Sequence, residues 1–169
     1  MSARIKISRH TLADIRADLS RAHAFAHERV GFLTAGVTRQ PDGALLLLAR
    51  DYLPVEDGDY RANPSVGAEI GADAIRKGLQ AAYKGKSALL HLHSHGGGGR
   101  PEFSAVDLEG GRAFVPSFFN AVPQMPHGIL VLSNDSARGL LWTHPKEQPT
   151  YIAGFVQVGV PFRKFGETA

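Results

Sequence analysis

The chain has 169 residues, no cysteine and a formal net charge of +3, from 19 Lys and Arg against 16 Asp and Glu. With 43% hydrophobic and 21% charged residues it has the make-up of one ordinary globular domain, 1–169, rather than of a disordered chain. The missing cysteines exclude disulfides, thiolate catalysis and cysteine-based zinc sites; the scattered Lys and Arg form no basic stripe for nucleic acid, and the longest apolar run, 44–49, is too short to span a bilayer.

The N-terminus, Met-Ser-Ala-Arg-Ile-Lys-Ile-Ser, lacks the apolar run of a signal peptide, so a soluble, cytoplasmic protein is expected. Ile5 and Ile7 alternate with polar residues, which predicts a short half-exposed strand. Thr11 reads as an N-cap with Asp14 three residues on. Leu12, Ile15 and Leu19 then form a helical stripe reaching about Ala24. Val30 to Val37 reads as a buried strand. Gln40-Pro41-Asp42-Gly43 is a turn and Ala44 to Leu53 the returning strand, giving a hairpin. Pro54 to Pro64 is loop, with an extended piece near Tyr60. Ser65 to Lys84 reads as a helix on the stripe Ile75, Leu79, Tyr83, capped at Gly85. Ser87 to His95 is a strand, Gly96 to Phe103 a loop, and a helix begins near Ser104 and passes Phe114. Gly110-Gly111 and Pro116 argue against its continuity. Phe114, Phe118 and Phe119 read as core rather than as a docking patch, as does Trp142. Gly128 to Leu132 and Gly139 to Thr143 are strands around Asn134-Asp135, and Tyr151 to Phe162 is a last edge strand. The mixture predicts an α/β fold with a mainly antiparallel mixed sheet flanked by helices.

Metal-binding groups cluster most densely in Leu90-His91-Leu92-His93-Ser94-His95, a glycine run, and Ser104-Ala105-Val106-Asp107. Residues two apart on a strand share a face, so His91, His93 and His95 all point one way. Ser104 and Asp107 have capping-box spacing, which fixes a carboxylate at a helix start. Imidazoles and a carboxylate are the ligands of a catalytic Zn²⁺ that keeps a position open for water. Hydrolysis at such a centre also needs a base; Glu28 precedes the Val30–Val37 strand, and Glu56, Asp57 and Glu102 are the other acids considered. His10, His23, His27, His127 and His144 lack paired spacing and read as surface or capping residues, with His27 adjoining Glu28.

The series Glu28-Arg29-Val30-Gly31-Phe32-Leu33, then His93-Ser94-His95, then Ser104-Ala105-Val106-Asp107 resembles the JAMM/MPN (JAB) metalloproteases over roughly Ile5 to Trp142. The resemblance implies an MPN (JAB)-like domain in which His93, His95 and Asp107 hold Zn²⁺. It makes Glu28 the general base and Ser104 the hydroxyl that stabilises the oxyanion. The chain departs from the family in having eleven residues rather than ten between His95 and Asp107, and Gly96 where Pro is usual. His91 leaves a second register open, with His91 and His93 as the ligand pair. Small bacterial members are similar to JAB proteins that cut after the C-terminal glycine of a ubiquitin-like modifier, beside E1-like and E2-like enzymes and in some cases in antiphage defence. The resemblance therefore implies a zinc isopeptidase with a ubiquitin-like tail as partner. Other readings are a JAMM peptidase of cell-wall or phage-tail type, an inactive MPN scaffold, and a phosphate loop at Gly96–Gly99. The last lacks a following Gly-Lys-Ser/Thr.

Overall fold

Strict alternation of apolar and polar side chains makes β1 (Ala3–Ser8), which buries Ala3, Ile5 and Ile7. In the computed structural model, which describes residues 2–23 and 26–166, β1 runs directly into α1 (Arg9–Leu19). The Ser8 hydroxyl accepts the Thr11 N–H at 3.0 Å and caps that helix. The expected cap at Thr11 is thus three residues late, and the helix stops at Leu19 rather than near Ala24, which lies outside the described residues. The hairpin is present as β2 (Val30–Arg39) and β3 (Leu45–Pro54). A 3₁₀ turn (Asp57–Asp59) leads to β4 (Tyr60–Arg61), which pairs with β5 (Glu69–Ile70).

The helix expected from Ser65 starts later, as α2 (Ala72–Gly85). Residues 64–67, with Pro64 and Gly67, form a turn, Glu69 and Ile70 belong to β5, and Gly71 is the N-cap. Its buried positions are Ala74, Gly78 and Ala82, while Tyr83 is 68% exposed. Small residues four apart let the helix sit close to the sheet: a Cβ on Gly78 would stand 3.0 Å from the Phe32 ring. The left-handed C-cap falls on Lys86, not Gly85.

β6 (Ala88–Ser94) is followed by the glycine loop and by α3 (Ala105–Ala121). That helix is continuous through Pro116, against expectation. Gly111 is why it packs so tightly, since a Cβ there would approach Ile129 to 2.8 Å. β7 (His127–Leu132), β8 (Ala137–Trp142) and β9 (Thr150–Tyr151) complete one flank. The single edge strand expected over Tyr151–Phe162 is instead Tyr151 at the end of β9 and an interior strand, β10 (Gly154–Val158), which pairs with β1; a further strand beyond it, β11 (Arg163–Phe165), is the edge.

Among the described residues the large sheet has the order β11-β10-β1-β3-β2-β6-β7-β8-β9. Pairs β1–β10, β1–β3 and β6–β7 are parallel and the rest antiparallel. The fold is therefore a mixed, mainly antiparallel sheet with helices on both faces. Ile5, Ile15, Leu33, Leu47, Leu90 and Leu92 form the core under α1. Phe32, Leu89, Val115, Phe118, Ile129 and Trp142 form the core under α2 and α3. The three phenylalanines of α3 and Trp142 thus belong to this second core, as expected. No helix among the described residues is long and apolar enough to cross a membrane.

Candidate metal centre

Register places the site. β2 and β6 are antiparallel with Val30 opposite His93 and Phe32 opposite His91. Continuing that register two residues beyond the Val30–His93 pair brings Glu28 across from His95. Because Leu90 and Leu92 face the core under α1, His91 and His93 face the other side, toward α3. α3 begins at the same end of the sheet, with Ser104 as its N-cap.

Four groups converge there. His93 Nε2 and His95 Nε2 are 3.0 Å apart. Asp107 Oδ1 lies 3.2 Å from His93 Nε2, and Asp107 Oδ2 lies 3.4 Å from His95 Nε2. Glu28 Oε1 stands 3.8 Å from His95 Nε2. Glu28, His93 and His95 together could hold a metal ion. Asp107 approaches both rings more closely than Glu28 approaches His95, so it is the nearer carboxylate to His95 and also contacts His93. All five sequence-predicted residues, Glu28, His93, His95, Ser104 and Asp107, line one cleft of about 290 Å³. His27 lines it too, as its place beside Glu28 suggested.

The capping box is complete. Asp107 N–H donates to Ser104 Oγ at 3.2 Å, and Ser104 N–H donates back to Asp107 Oδ2 at 2.7 Å. The Ser104 hydroxyl also donates to Asp107 Oδ2 at 2.8 Å. Burial alone would raise the Asp107 carboxyl, but the His93 ring and the Ser104 hydroxyl and amide outweigh it and hold it well below the usual carboxylate range. Asp107 is therefore anionic at neutral pH, as a metal ligand must be.

His91 stands one step deeper. Its ring lies edge-on to Phe114 and Phe32, with centroids 5.0 and 5.4 Å away. Burial, then the neighbouring His93, push its pKa down to about 3, so it is a neutral packing group. The distances favour His93 and His95 as the ligand pair over the register that uses His91.

Several supporting residues were not legible in the sequence. Gly67, in the loop before β5, accepts the N–H groups of His27 and Glu28 at 2.9 and 3.0 Å. Arg29 is buried; its guanidinium pairs with Asp57 at 2.8 Å and donates to the carbonyls of Arg21 and Ala22. The Tyr60 hydroxyl accepts the Val30 N–H at 2.9 Å. Together these fix the segment that carries Glu28. The glycine loop is tied to the β7–β8 turn: Gly99 N–H donates to Asp135 at 2.7 Å, Ser133 Oγ donates to the Gly99 carbonyl at 2.7 Å, and Asn134 N–H donates to the Gly97 carbonyl at 2.9 Å. Positive φ at Gly96, Gly97 and Gly99 makes this path open to glycine. The other acids considered as bases lie outside the cleft: Asp57 pairs with Arg29, Glu102 pairs with Arg138, and Glu56 is exposed. His127 is not a surface residue. It is fully buried, its Nδ1 accepting the Leu89 N–H at 3.0 Å and its Nε2 bonding the Val122 carbonyl at 3.0 Å.

No protein-family model matches the chain, and no curated protein matches it. Among solved structures, the Trichoplax adhaerens STIL N-terminal domain is similar, with 10% sequence identity and a TM-score of 0.40. The likeness covers 81% of this chain and 40% of that one, and at that score it carries no argument about fold or function.

Proposed function

We propose that the protein is a zinc-dependent peptidase or isopeptidase of the JAMM/MPN (JAB) kind, acting after the C-terminal glycine of a ubiquitin-like modifier. The observation that carries this reading is the spacing of the donor atoms. Four ligands placed tetrahedrally about zinc at ~2.0–2.1 Å stand about 3.3 Å apart. His93 Nε2 and His95 Nε2 stand 3.0 Å apart, and each has one Asp107 oxygen near that distance, Oδ1 at 3.2 Å from His93 and Oδ2 at 3.4 Å from His95. The donor set would be two imidazoles and one carboxylate, with a fourth place left for water.

Zinc bound there would polarise the scissile carbonyl and acidify a water to near neutrality. Glu28, just outside the ligand triangle, takes the proton from the attacking water and returns it to the leaving amine. The Ser104 hydroxyl rotates from Asp107 toward the oxygen that gains negative charge in the tetrahedral intermediate. Asp107 stays in place because the Ser104 N–H still holds it at 2.7 Å. An extended tail enters the cleft past Pro64–Ala68, a strand-like mode of recognition.

The test is cleavage of a ubiquitin-like fusion and of an isopeptide conjugate by the zinc-loaded protein, with a cell-wall peptide as the competing substrate. Cleavage of the fusion that stops with chelator and with Glu28→Gln supports the reading. Cleavage of the cell-wall peptide alone selects the other kind of JAMM peptidase. Full zinc occupancy with no cleavage of any amide selects the inactive scaffold.

A further inference from the structure

Cations that are scattered in the sequence are gathered by the sheet. Residues 3–13 and 152–166 contain Arg4, Lys6, Arg9, Arg163 and Lys164 and no Asp or Glu; Glu167 follows in sequence, outside the described residues. Parallel pairing of β1 with β10 sets Lys6 opposite Val156 and Ser8 opposite Val158, and β11 sets Lys164 on the other side of Val156. Arg9 Nη1 donates to the Val160 carbonyl at 2.7 Å. Among the described residues none of the five cations takes part in an ion pair.

Ile5, Ile7, Leu47 and Phe155 face the core under α1, so Lys6, Leu48, Val156 and Val158 face the other way. On that side α2 packs against β2 and β6, and α3 against β7. Further along the same face Lys6, Leu48, Val158 and Lys164 are exposed. The chain then turns between β10 and β11. At this tip Val160 is 83% and Phe162 61% exposed, with Val158 at the end of β10 48% exposed. Apolar groups at this exposure are a cost in water unless something covers them.

We propose that this corner of the sheet docks on an anionic lipid bilayer, with Val160 and Phe162 entering the interface and Arg9, Lys6 and Lys164 meeting the phosphates. The order of chemistry along the strands favours that partner. Val160 and Phe162 lie beyond the strand end, and Lys6 and Lys164 share one cross-strand row two residues behind Val158, or ~6.6 Å by strand rise. An interfacial surface buries its apolar part to about 5–10 Å, and lysine stems lie along apolar surface while the ammonium reaches the headgroups. A second copy of the chain would set these cations against one another, and a hydrophilic polyanion would leave Val160 and Phe162 in water. β1, β10 and β6 all run toward the same end of the sheet, the end that carries the His93–His95 cleft. Docking therefore turns that cleft toward the bilayer, about four strand spacings, or ~19 Å, along the sheet from β10. The proposal does not depend on the peptidase reading.

The experiment is flotation of the protein with vesicles of phosphatidylcholine alone, or of phosphatidylcholine with about one third phosphatidylserine. Binding to the anionic vesicles is expected, weakening as salt shortens the Debye length from ~10 Å at about 0.1 M to ~3 Å at about 1 M. Val160→Ser with Phe162→Ser is expected to weaken that binding at least about 10-fold. Lys6→Gln with Lys164→Gln is expected to weaken it about 10-fold and to erase the preference for the anionic lipid. Tyr83→Ser, on the exposed side of α2, is expected to change nothing. All the replaced side chains are exposed, so thermal melts are expected to match the wild type. No flotation with either vesicle, equal flotation with both, or flotation indifferent to either double variant overturns the proposal. Capture of polyglutamate in place of anionic vesicles would assign the cations to an acidic protein and overturn it as well.

Discussion

The Glu28 carboxylate lies directly over Gly67: a Cβ added to that glycine would fall 2.5 Å from Glu28 Oε2. The same glycine accepts the backbone N–H of Glu28 through its carbonyl. Gly67 has no positive φ, so its smallness serves the space above it and not the turn. Gly67→Ala is expected to fold with little loss of stability, because the crowded atoms are the far end of a flexible side chain. It should displace the base, and a misplacement of ~1 Å costs about 10²-fold in rate. Steady-state kinetics beside a zinc titration checks this; zinc affinity is expected to hold while kcat falls.

Ligand and base are separable by substitution. Asp107→Ala removes a donor atom from the triangle and is expected to abolish activity and to lower zinc occupancy below one per chain. Glu28→Gln is expected to abolish turnover and keep zinc, because a base is not a ligand. Elemental analysis of both purified variants, with the fusion-cleavage assay, checks the pair. Loss of zinc in Glu28→Gln would reassign Glu28 to the donor set.

Ser104 has two tasks that different variants divide. Ser104→Ala removes the N-cap, which costs about 0.5–2 kcal/mol. It also removes the hydroxyl donor, whose loss lowers kcat by about 10²–10³-fold in comparable sites. Ser104→Asn keeps a capping acceptor and so is expected to restore most of the stability. Thermal melts and kinetics on the two variants separate the roles. Full activity in Ser104→Asn would show that the hydroxyl acts only through the helix cap.

His127 carries a pH dependence away from the cleft. Burial lowers its pKa, partly offset by its bond to the Val122 carbonyl. The unfolded chain, with the ordinary imidazole pKa of 6.5, then binds a proton that the folded chain resists. The stability it contributes is fully present above pH ~6.5 and is lost as pH falls below that value toward the depressed folded pKa. His127→Leu leaves the Leu89 N–H unpaired, which costs about 1–3 kcal/mol. Urea melts from pH 7.5 to 5 are expected to show this loss, together with a shallower dependence on acid than in the wild type.

What was readable from the sequence is what is local in it. His91, His93, His95 and Asp107 were singled out because strand alternation and a capping box are short-range patterns, the choice of His93 and His95 came from the resemblance to the JAMM/MPN family, and the structure brings His93, His95 and Asp107 together. Glu28 was found through its place before an apolar strand, and the antiparallel register of β2 against β6 explains why that place is opposite His95. Gly67, Tyr60 and the Ser133–Asp135 clamp escaped notice because each acts across the chain, through contacts that no spacing encodes. His127 was misread because a lone histidine has no periodic partner, yet both its ring nitrogens find backbone groups. The helix expected from Ser65 starts late because of the turn at Pro64 and Gly67, and its stripe of large residues, ending in the exposed Tyr83, concealed the buried Ala74, Gly78 and Ala82, of which Gly78 lies against the Phe32 ring.

X-ray absorption at the zinc edge, on protein loaded with one equivalent and then on Glu28→Gln, tests the metal centre most directly. The expected spectrum has two imidazole nitrogens at ~2.0–2.1 Å with oxygen completing a four-coordinate shell, unchanged in the variant. A shell without paired imidazoles, or one that alters when Glu28 is replaced, would contradict the arrangement of His93, His95 and Asp107 around the ion with Glu28 outside it.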